Sequence, residues 1–205
     1  ITMDVLDSNV DIHAGLNPNG VGDLDGDGDA DVMLTDRWME NLGRGVSWAR
    51  HILLFGKKGP WGLSSRSWIT DLDSDGDNDV IVVDCDGQNS GVAWIENQDG
   101  AMQRTWVHYL ANQARGTRGS FHSLQVADFD GDGDKDILVV EQEDSKILPQ
   151  GATPRWFVWE NQGNTEFTER VVFEGSLGGH DVMVGDVVGD GDMDLGSKVW
   201  NGWSE

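Results

Sequence analysis

Four stretches of this chain carry aspartates at alternate positions, a spacing suited to holding a hard cation. From Asp23 to Asp31 every odd position is aspartate, and Gly28 stands at the sixth position. Carboxylates that alternate along a tight loop can direct their oxygens toward one centre, and the glycine permits a sharp turn. Five carboxylates within nine residues would repel one another strongly without a counter-ion. The pattern therefore predicts cation binding, and purely oxygen ligands favour Ca2+ over softer metals.

The same nine-residue pattern recurs at 71–79, 128–136 and 186–194. We expect the side chains at positions one, three, five and nine to bind the ion, together with a backbone carbonyl near position seven. Val188 replaces the aspartate at position three of the fourth copy, so we predict three strong Ca2+ sites and a weaker or empty fourth. The predicted metal-site residues are Asp23, Asp25, Asp27, Asp29, Asp31, Asp71, Asp73, Asp75, Asp77, Asp79, Asp128, Asp130, Asp132, Asp134, Asp136, Asp186, Asp190, Asp192 and Asp194.

These loops are not EF-hands. An EF-hand requires a bidentate glutamate at loop position twelve and a helix on each side. Position twelve is instead occupied by Leu34, Val82, Val139 and Ser197. The segments after the first three loops are short runs of apolar, mainly β-branched residues, which are typical of strands.

The loops are parts of a longer repeat, since their first aspartates lie 48, 57 and 58 residues apart. Around each of the first three loops we expect four short strands, which at this period indicates the blade of a propeller. We therefore predict an all-β fold, a β-propeller of four-stranded antiparallel blades with the acidic loops between first and second strands. Residues 1–205 form a single propeller region with repeats at approximately 9–54, 55–110, 111–174 and 175–205, the last incomplete.

Recurring tryptophans and one cysteine add expectations about packing. Trp38 and Trp94 recur at one position of the repeat, and Trp48 and Trp106 recur at a second. We expect both pairs to pack between blades. Cys85 is the single cysteine, at the end of a predicted strand, and we interpret it as a buried structural thiol.

The Asp-x-Asp-Gly-Asp-Gly-Asp-x-Asp loop between two β-runs resembles the FG-GAP/VCBS repeats of integrin α-chain propellers and of secreted bacterial propellers. The resemblance extends from about Val21 to Val199. The Phe-Gly and Gly-Ala-Pro signatures of the integrin version are absent, so the bacterial type is the closer match. The resemblance implies structural Ca2+ ions, and it does not fix a ligand, because this fold carries many functions.

Composition is consistent with a calcium-loaded, secreted or cell-surface protein. The formal net charge is −23, which makes nucleic acid an unsuitable partner. No apolar run is long enough to span a membrane. Ile1–Ser8 resembles an outer strand, and the fourth repeat stops before its third strand. We therefore expect either a larger propeller or self-association through open blade edges at Ile1–Ser8 and Leu195–Ser204.

Strand directions alternate within a blade, so the acidic loops and the third-to-fourth turns share one face. The longer, more variable loops emerge on the other face, where we expect a glycan or protein ligand to bind. Each candidate residue there has a plain structural alternative, such as core packing, loop solvation or a hydrogen bond at a strand start. The candidate ligand-binding residues are Trp61, Arg66, Arg115, Arg118, His122, Glu141, His180, Lys198 and Trp200.

Three functions are compatible with these observations. The first is a non-catalytic calcium-binding module for adhesion, glycan or protein binding, or surface assembly. The second is a polysaccharide-active enzyme such as a lyase, and the third is a structural repeat unit of a surface filament. We assign no catalytic residue, because no nucleophile motif, phosphate loop or catalytic histidine cluster occurs, and the single tyrosine, Tyr109, falls on a predicted outer strand. We therefore prefer the first function, a non-catalytic calcium-binding module.

Overall fold

The computed structural model describes residues 18–53, 55, 62–86, 90–110, 119–142, 153–163 and 165–198. Ile1–Ser8, and the part of Leu195–Ser204 beyond residue 198, lie outside these ranges, so the predicted association through them stays a prediction. No helix suited to crossing a membrane occurs in the described ranges.

Within the described ranges, fourteen strands form three four-stranded antiparallel sheets and one two-stranded sheet. In every sheet the strands follow sequence order, so each sheet is a simple meander. The first blade contains β1 (Val21–Gly22), β2 (Asp31–Met33), β3 (Arg37–Asn41) and β4 (Trp48–Ile52). The second contains β5 (Ser65–Thr70), β6 (Asp79–Asp84), β7 (Val92–Asn97) and β8 (Thr105–Tyr109). The third contains β9 (Phe121–Ala127), β10 (Asp136–Glu141), β11 (Arg155–Asn161) and β12 (Phe167–Glu174). The fourth sheet pairs β13 (Asp181–Gly185) with β14 (Asp194–Lys198).

Among the described residues the core consists of three apolar clusters, each between two neighbouring sheets. Strand β6 shows how they form, because its successive side chains point to opposite faces of the sheet. Ile81 and Val83 pack in the cluster shared with the third blade. Val80 and Val82 pack in the cluster shared with the first blade. All six residues of β6 are buried, which explains why its four central residues, 80–83, are a continuous apolar run rather than an alternating one.

The first strands of successive sheets contact one another, β1 against β5, β5 against β9, and β9 against β13. They therefore line the axis, while the fourth strands of the three four-stranded blades lie outermost and are more exposed than the third strands that they pair with. All four acidic loops connect a first strand to a second strand, as the sequence predicts. The all-β fold with four-stranded antiparallel propeller blades is thus confirmed, as a partial propeller in the described residues.

The predicted burial of the recurring tryptophans is confirmed for one pair and wrong for the other. Trp38 and Trp94 are buried, but Trp106 is 60% exposed and Trp48 is half-buried. Trp48 pairs with Asn41 while Trp106 pairs with Glu96, one position apart in the repeat. A shift of one residue turns a side chain to the opposite face of a strand, so these two tryptophans are not equivalent.

Cys85 is fully buried, and its thiol donates to the Phe121 carbonyl at 2.8 Å. Burial raises the pKa of this thiol to about 12, with the nearby Arg66 charge opposing the rise. A thiol with such a pKa is protonated and unreactive at neutral pH. The structural interpretation of Cys85 is confirmed.

Candidate functional site: the acidic loops and the opposite face

The first aspartate of each acidic loop folds the loop around its own carboxylate. Asp23 accepts hydrogen bonds from the backbone N–H groups of Gly26 and Gly28, at 2.8 and 3.0 Å. The bond to position six recurs in the other three loops, at 3.0–3.1 Å. Gly28 has a φ of 92°, and the glycine at this position has a positive φ in every loop. This conformation explains the choice of glycine.

The aspartates at positions three and five each accept a hydrogen bond from the backbone N–H two residues later. Asp73 accepts a hydrogen bond from the N–H of Asp75 at 3.2 Å, and Asp75 accepts one from the N–H of Asp77 at 2.9 Å. Such side-chain turns hold the backbone in a tight coil. Each of these bonds uses one carboxylate oxygen, which leaves the second oxygen available to a cation.

The aspartate at position nine anchors the loop to its blade. Asp79 is 1% exposed, and its two oxygens accept hydrogen bonds from the N–H groups of Leu72, at 3.1 Å, and Asn97, at 2.9 Å. Asp31 and Asp136 make the equivalent pair of bonds in their own blades. This residue, predicted solely as a metal ligand, therefore also joins the start of the loop to the third strand.

In the described part of the chain, three groups of carboxylates converge closely enough to hold a metal ion. In each group, ligand oxygens from three aspartates lie within 4.8 Å of one another. One group occurs in each of the first three loops, and none is formed by the fourth, where Val188 stands at position three. The groups are Asp23, Asp25 and Asp27; Asp71, Asp73 and Asp79; and Asp128, Asp130 and Asp136.

The electrostatics of the second loop favour a bound cation. Burial raises the pKa of Asp79 to about 6, against the lowering effect of the Asn97 and Leu72 N–H groups. Burial also raises the pKa of Asp73, and the neighbouring charges of Asp75, Asp71 and Glu96 add to the rise. The buried Oδ1 of Asp71 has no hydrogen-bond partner. Hard oxygens that are buried, crowded and in part unpartnered are a donor set that fits Ca2+.

A recurring asparagine contributes to the site, although we did not predict it as a site residue. Asn41, Asn97 and Asn161 end the third strands, and each backbone N–H bonds to the position-nine aspartate. Each side-chain N–H2 group donates to the position-eight carbonyl of its own loop, at 3.2–3.4 Å. The signal was present in the sequence, because Glu-Asn recurs in all three complete repeats.

Neighbouring acidic loops are also tied to each other across the seams between blades. The side-chain amide of Asn78 donates to the backbone carbonyl of Asp23 at 2.9 Å. At the next seam the Lys135 ammonium donates to the carbonyl of Asp71 at 2.6 Å. Asn78 and Lys135 both occupy position eight of their loops, and both carbonyls belong to position one of the preceding loop. The first three loops therefore form a hydrogen-bonded chain around one face.

On the opposite face, three of the predicted ligand-binding residues come together. Nη2 of Arg66 lies 3.2 Å from Nδ1 of His122, and the rings of His122 and His180 are 4.0 Å apart. Nε2 of His122 lies 3.6 Å from Oδ1 of Asp86. Burial lowers the pKa of His180, and the His122 and Arg66 charges lower it further, while Asp181 opposes them. These residues form a mainly buried basic cluster.

The other predicted ligand-binding residues are placed differently. Glu141 is fully buried in a bidentate ion pair with Arg155, with contacts of 3.0 and 3.1 Å. It also accepts a hydrogen bond from the Gly119 N–H, so its role in this structure is internal. Lys198 is exposed at the end of β14. Trp61, Arg115, Arg118 and Trp200 lie outside the described residues.

The sheets and loops together define a repeat protein of the β-propeller class. The family model for the FG-GAP-like repeat matches residues 71–139 and 147–197, which is more than half of the chain. The chain therefore belongs to the FG-GAP-like repeat family. No curated protein matches the chain. The FG-GAP resemblance is confirmed, while the finer likeness to the bacterial VCBS type stays a prediction.

Proposed function

We propose that this chain is a secreted or cell-surface binding module stabilised by structural Ca2+ ions. The observation that carries the proposal is the convergence of three aspartates in each of three equivalent loops. In the second loop, Asp71, Asp73, Asp75 and Asp79 would hold the ion. A bound Ca2+ supplies two positive charges that neutralise these carboxylates and fix the loop geometry.

The placement of the loops argues for a structural role of the metal. All three groups lie between first and second strands, and two seams are crossed by hydrogen bonds from one loop to the next. An ion in each loop would therefore stiffen one face of the propeller. Extracellular calcium is abundant enough to fill sites of only modest affinity, with Kd values of about 10⁻⁴–10⁻³ M. This is the reason to propose a location outside the cell.

The recognition surface that we propose is the face opposite the acidic loops. The loops that join successive blades emerge on that face, around the mainly buried basic cluster of Arg66, His122 and His180. A rigid scaffold that presents variable loops on one face is a common arrangement for binding glycans or proteins. Adhesion or surface assembly through this face follows from the proposal.

Thermal melting with and without a chelator tests the metal part of the proposal. Each filled site adds about 2.7 kcal/mol at a hundredfold excess of Ca2+ over Kd, so Tm should fall markedly in EDTA and recover with Ca2+. Mg2+ is the control, since it demands a regular octahedral site and should restore less. An unchanged Tm in EDTA would refute the proposal.

A glycan array and a cell-surface binding assay test the recognition part. The calcium-loaded protein should bind a ligand without changing it, and chelation should abolish binding by loosening the scaffold. Turnover of an acidic polysaccharide, seen as a rise in ultraviolet absorbance from unsaturated products, would instead favour a lyase. An absence of binding in both assays would leave the calcium scaffold without its proposed recognition role.

A further inference from the structure

A pocket of about 520 Å³ opens at the axis, where the first strands β5, β9 and β13 meet. Its volume lies in the range of about 300–1,000 Å³ that is typical of small-molecule sites. Trp68, Leu124 and Met183 contribute apolar walls, while Arg66 and His122 contribute the basic groups. The pocket is therefore mainly apolar with a few convergent polar groups, which is the usual composition of a ligand site.

The Arg66 guanidinium is the unusual feature of this pocket. Arg66 is 7% exposed, and its hydrogen-bonding contacts are the Ser65 carbonyl, at 3.4 Å, and the ring of His122, at 3.2 Å. In the described residues no carboxylate forms an ion pair with it, whereas the fully buried Arg155 is paired with Glu141. The nearby Asp86 carboxylate contacts His122 rather than Arg66, so an anion that enters the pocket could pair directly with the guanidinium.

His122 makes part of this guanidinium available. Its Nδ1 lies 3.2 Å from Nη2 of Arg66 and also 3.2 Å from the backbone carbonyl of His180. A single ring nitrogen either accepts from the arginine or donates to the carbonyl, and it cannot do both. When Nδ1 donates to the His180 carbonyl, Nη2 of Arg66 has no acceptor on His122 and is left to bind a ligand, while Nη1 remains on the Ser65 carbonyl.

We propose that this axial pocket binds a small organic acid, with its carboxylate on Arg66 and its apolar body against Trp68, Leu124 and Met183. A guanidinium pairs with a carboxylate through directed, charge-assisted hydrogen bonds. The apolar walls disfavour a ligand covered with hydroxyl groups, because many of these groups would lose their hydrogen bonds to water. The site is separate from the acidic loops and goes beyond the calcium-dependent module proposed above.

One charge on the rim opposes such a ligand. Asp181 lines the pocket, and its side chain is 59% exposed. Its carboxylate repels an incoming anion through solvent, an effect that changes affinity only by a small factor at an exposed position. Removing this charge should therefore strengthen binding, while a site for a neutral ligand would be indifferent to it.

Isothermal titration of the calcium-saturated protein tests the proposal. The probes are phenylacetate, benzoate and 3-methylbutanoate, each compared with its neutral amide, and glucuronate serves as the hydroxyl-rich acid. We expect at least one of the three apolar acids to bind, with its amide and glucuronate at least tenfold weaker. No binding by any of the three acids, or equal binding of acid and amide, would overturn the proposal.

Three variants locate the site. Arg66→Met should lower affinity by about tenfold or more, whereas the control Arg170→Met, which removes an exposed arginine from β12, should leave it unchanged. Asp181→Asn should bind the acid about two- to fivefold more tightly. Thermal melts show whether each variant is folded. If Arg66→Met does not fold, the affinity of Asp181→Asn relative to the parent protein tests the proposal instead. Unchanged affinity in Asp181→Asn or in a folded Arg66→Met would refute the assignment.

Discussion

The side-chain amide of Asn78 donates a 2.9 Å hydrogen bond to the backbone carbonyl of Asp23, 55 residues earlier in the chain. The bond links position eight of the second acidic loop to position one of the first. Asn97 adds a second link across the same seam, from its amide to the carbonyl of Leu24 at 3.0 Å. The carboxylate face of the propeller is thus held together by the loops as well as by the apolar clusters between blades.

This relationship predicts the effect of changing Asn78. Asn78→Ala should lower the free energy of unfolding by about 1 kcal/mol, the usual value of one hydrogen bond. Asn78→Asp should cost more, because a carboxylate cannot donate to the Asp23 carbonyl and adds charge to an acidic face. Urea unfolding of the calcium-loaded proteins measures both changes. If both variants are as stable as the parent protein, the seam bond has no energetic role.

The position-nine aspartate should matter for folding even without metal. Asp79→Asn replaces one acceptor with a donor facing a backbone N–H, which leaves buried groups unsatisfied at a cost of about 2–3 kcal/mol. Urea unfolding in EDTA isolates this contribution from that of the ion. The matched control is Asp77→Asn, two residues earlier in the same loop at position seven, which should change stability by less than about 0.5 kcal/mol. Equal losses in the two variants would contradict the anchoring role.

The buried ion pair on the opposite face gives a prediction with an internal comparison. Glu141→Gln leaves the fully buried Arg155 without its carboxylate and should cost about 3–5 kcal/mol. Glu160→Gln removes the partner of Arg170, whose side chain is 59% exposed, and should cost no more than about 1 kcal/mol. Thermal or urea unfolding compares the two variants. A tolerated Glu141→Gln would show that this pair contributes little to the fold.

The fourth loop offers a gain-of-function test. Val188→Asp restores the carboxylate at position three and should create an additional Ca2+ site of measurable affinity. Val187→Asp adds the same charge one residue earlier, where the pattern has no ligand, and should not. Calorimetric titration counts the sites in each variant. Failure of Val188→Asp to add a site, or an equal gain from Val187→Asp, would show that position three is not a ligand.

Much of this architecture could be predicted because it depends on residues that are close together in the sequence of each repeat. The aspartate spacing marks each loop, and the apolar runs after it mark second strands such as Asp79–Asp84. Knowing that each loop joins first and second strands is enough to assign the two faces. The meander order in every sheet then follows from the tendency of sequential strands to pair with one another.

What could not be predicted depends on contacts between distant residues. Arg66 and His122 are 56 residues apart, and nothing in either segment indicates that their side chains meet. The exposure of Trp106 depends on a one-residue difference in register from Trp48, which residue types do not reveal. The anchoring role of Asp79 could not be predicted without knowing that the Asn97 N–H lies beside it. From the sequence alone, a carboxylate in an acidic loop suggests only a metal ligand.

Calcium titration by isothermal calorimetry, combined with native mass spectrometry, tests the central claim most directly. The account predicts three Ca2+ ions of comparable affinity per chain, one in each loop where aspartates converge, and at most a weaker fourth. Asp73→Asn should reduce the count or the affinity at one site only. No Ca2+ binding, or four equivalent ions in the parent protein, would contradict the account.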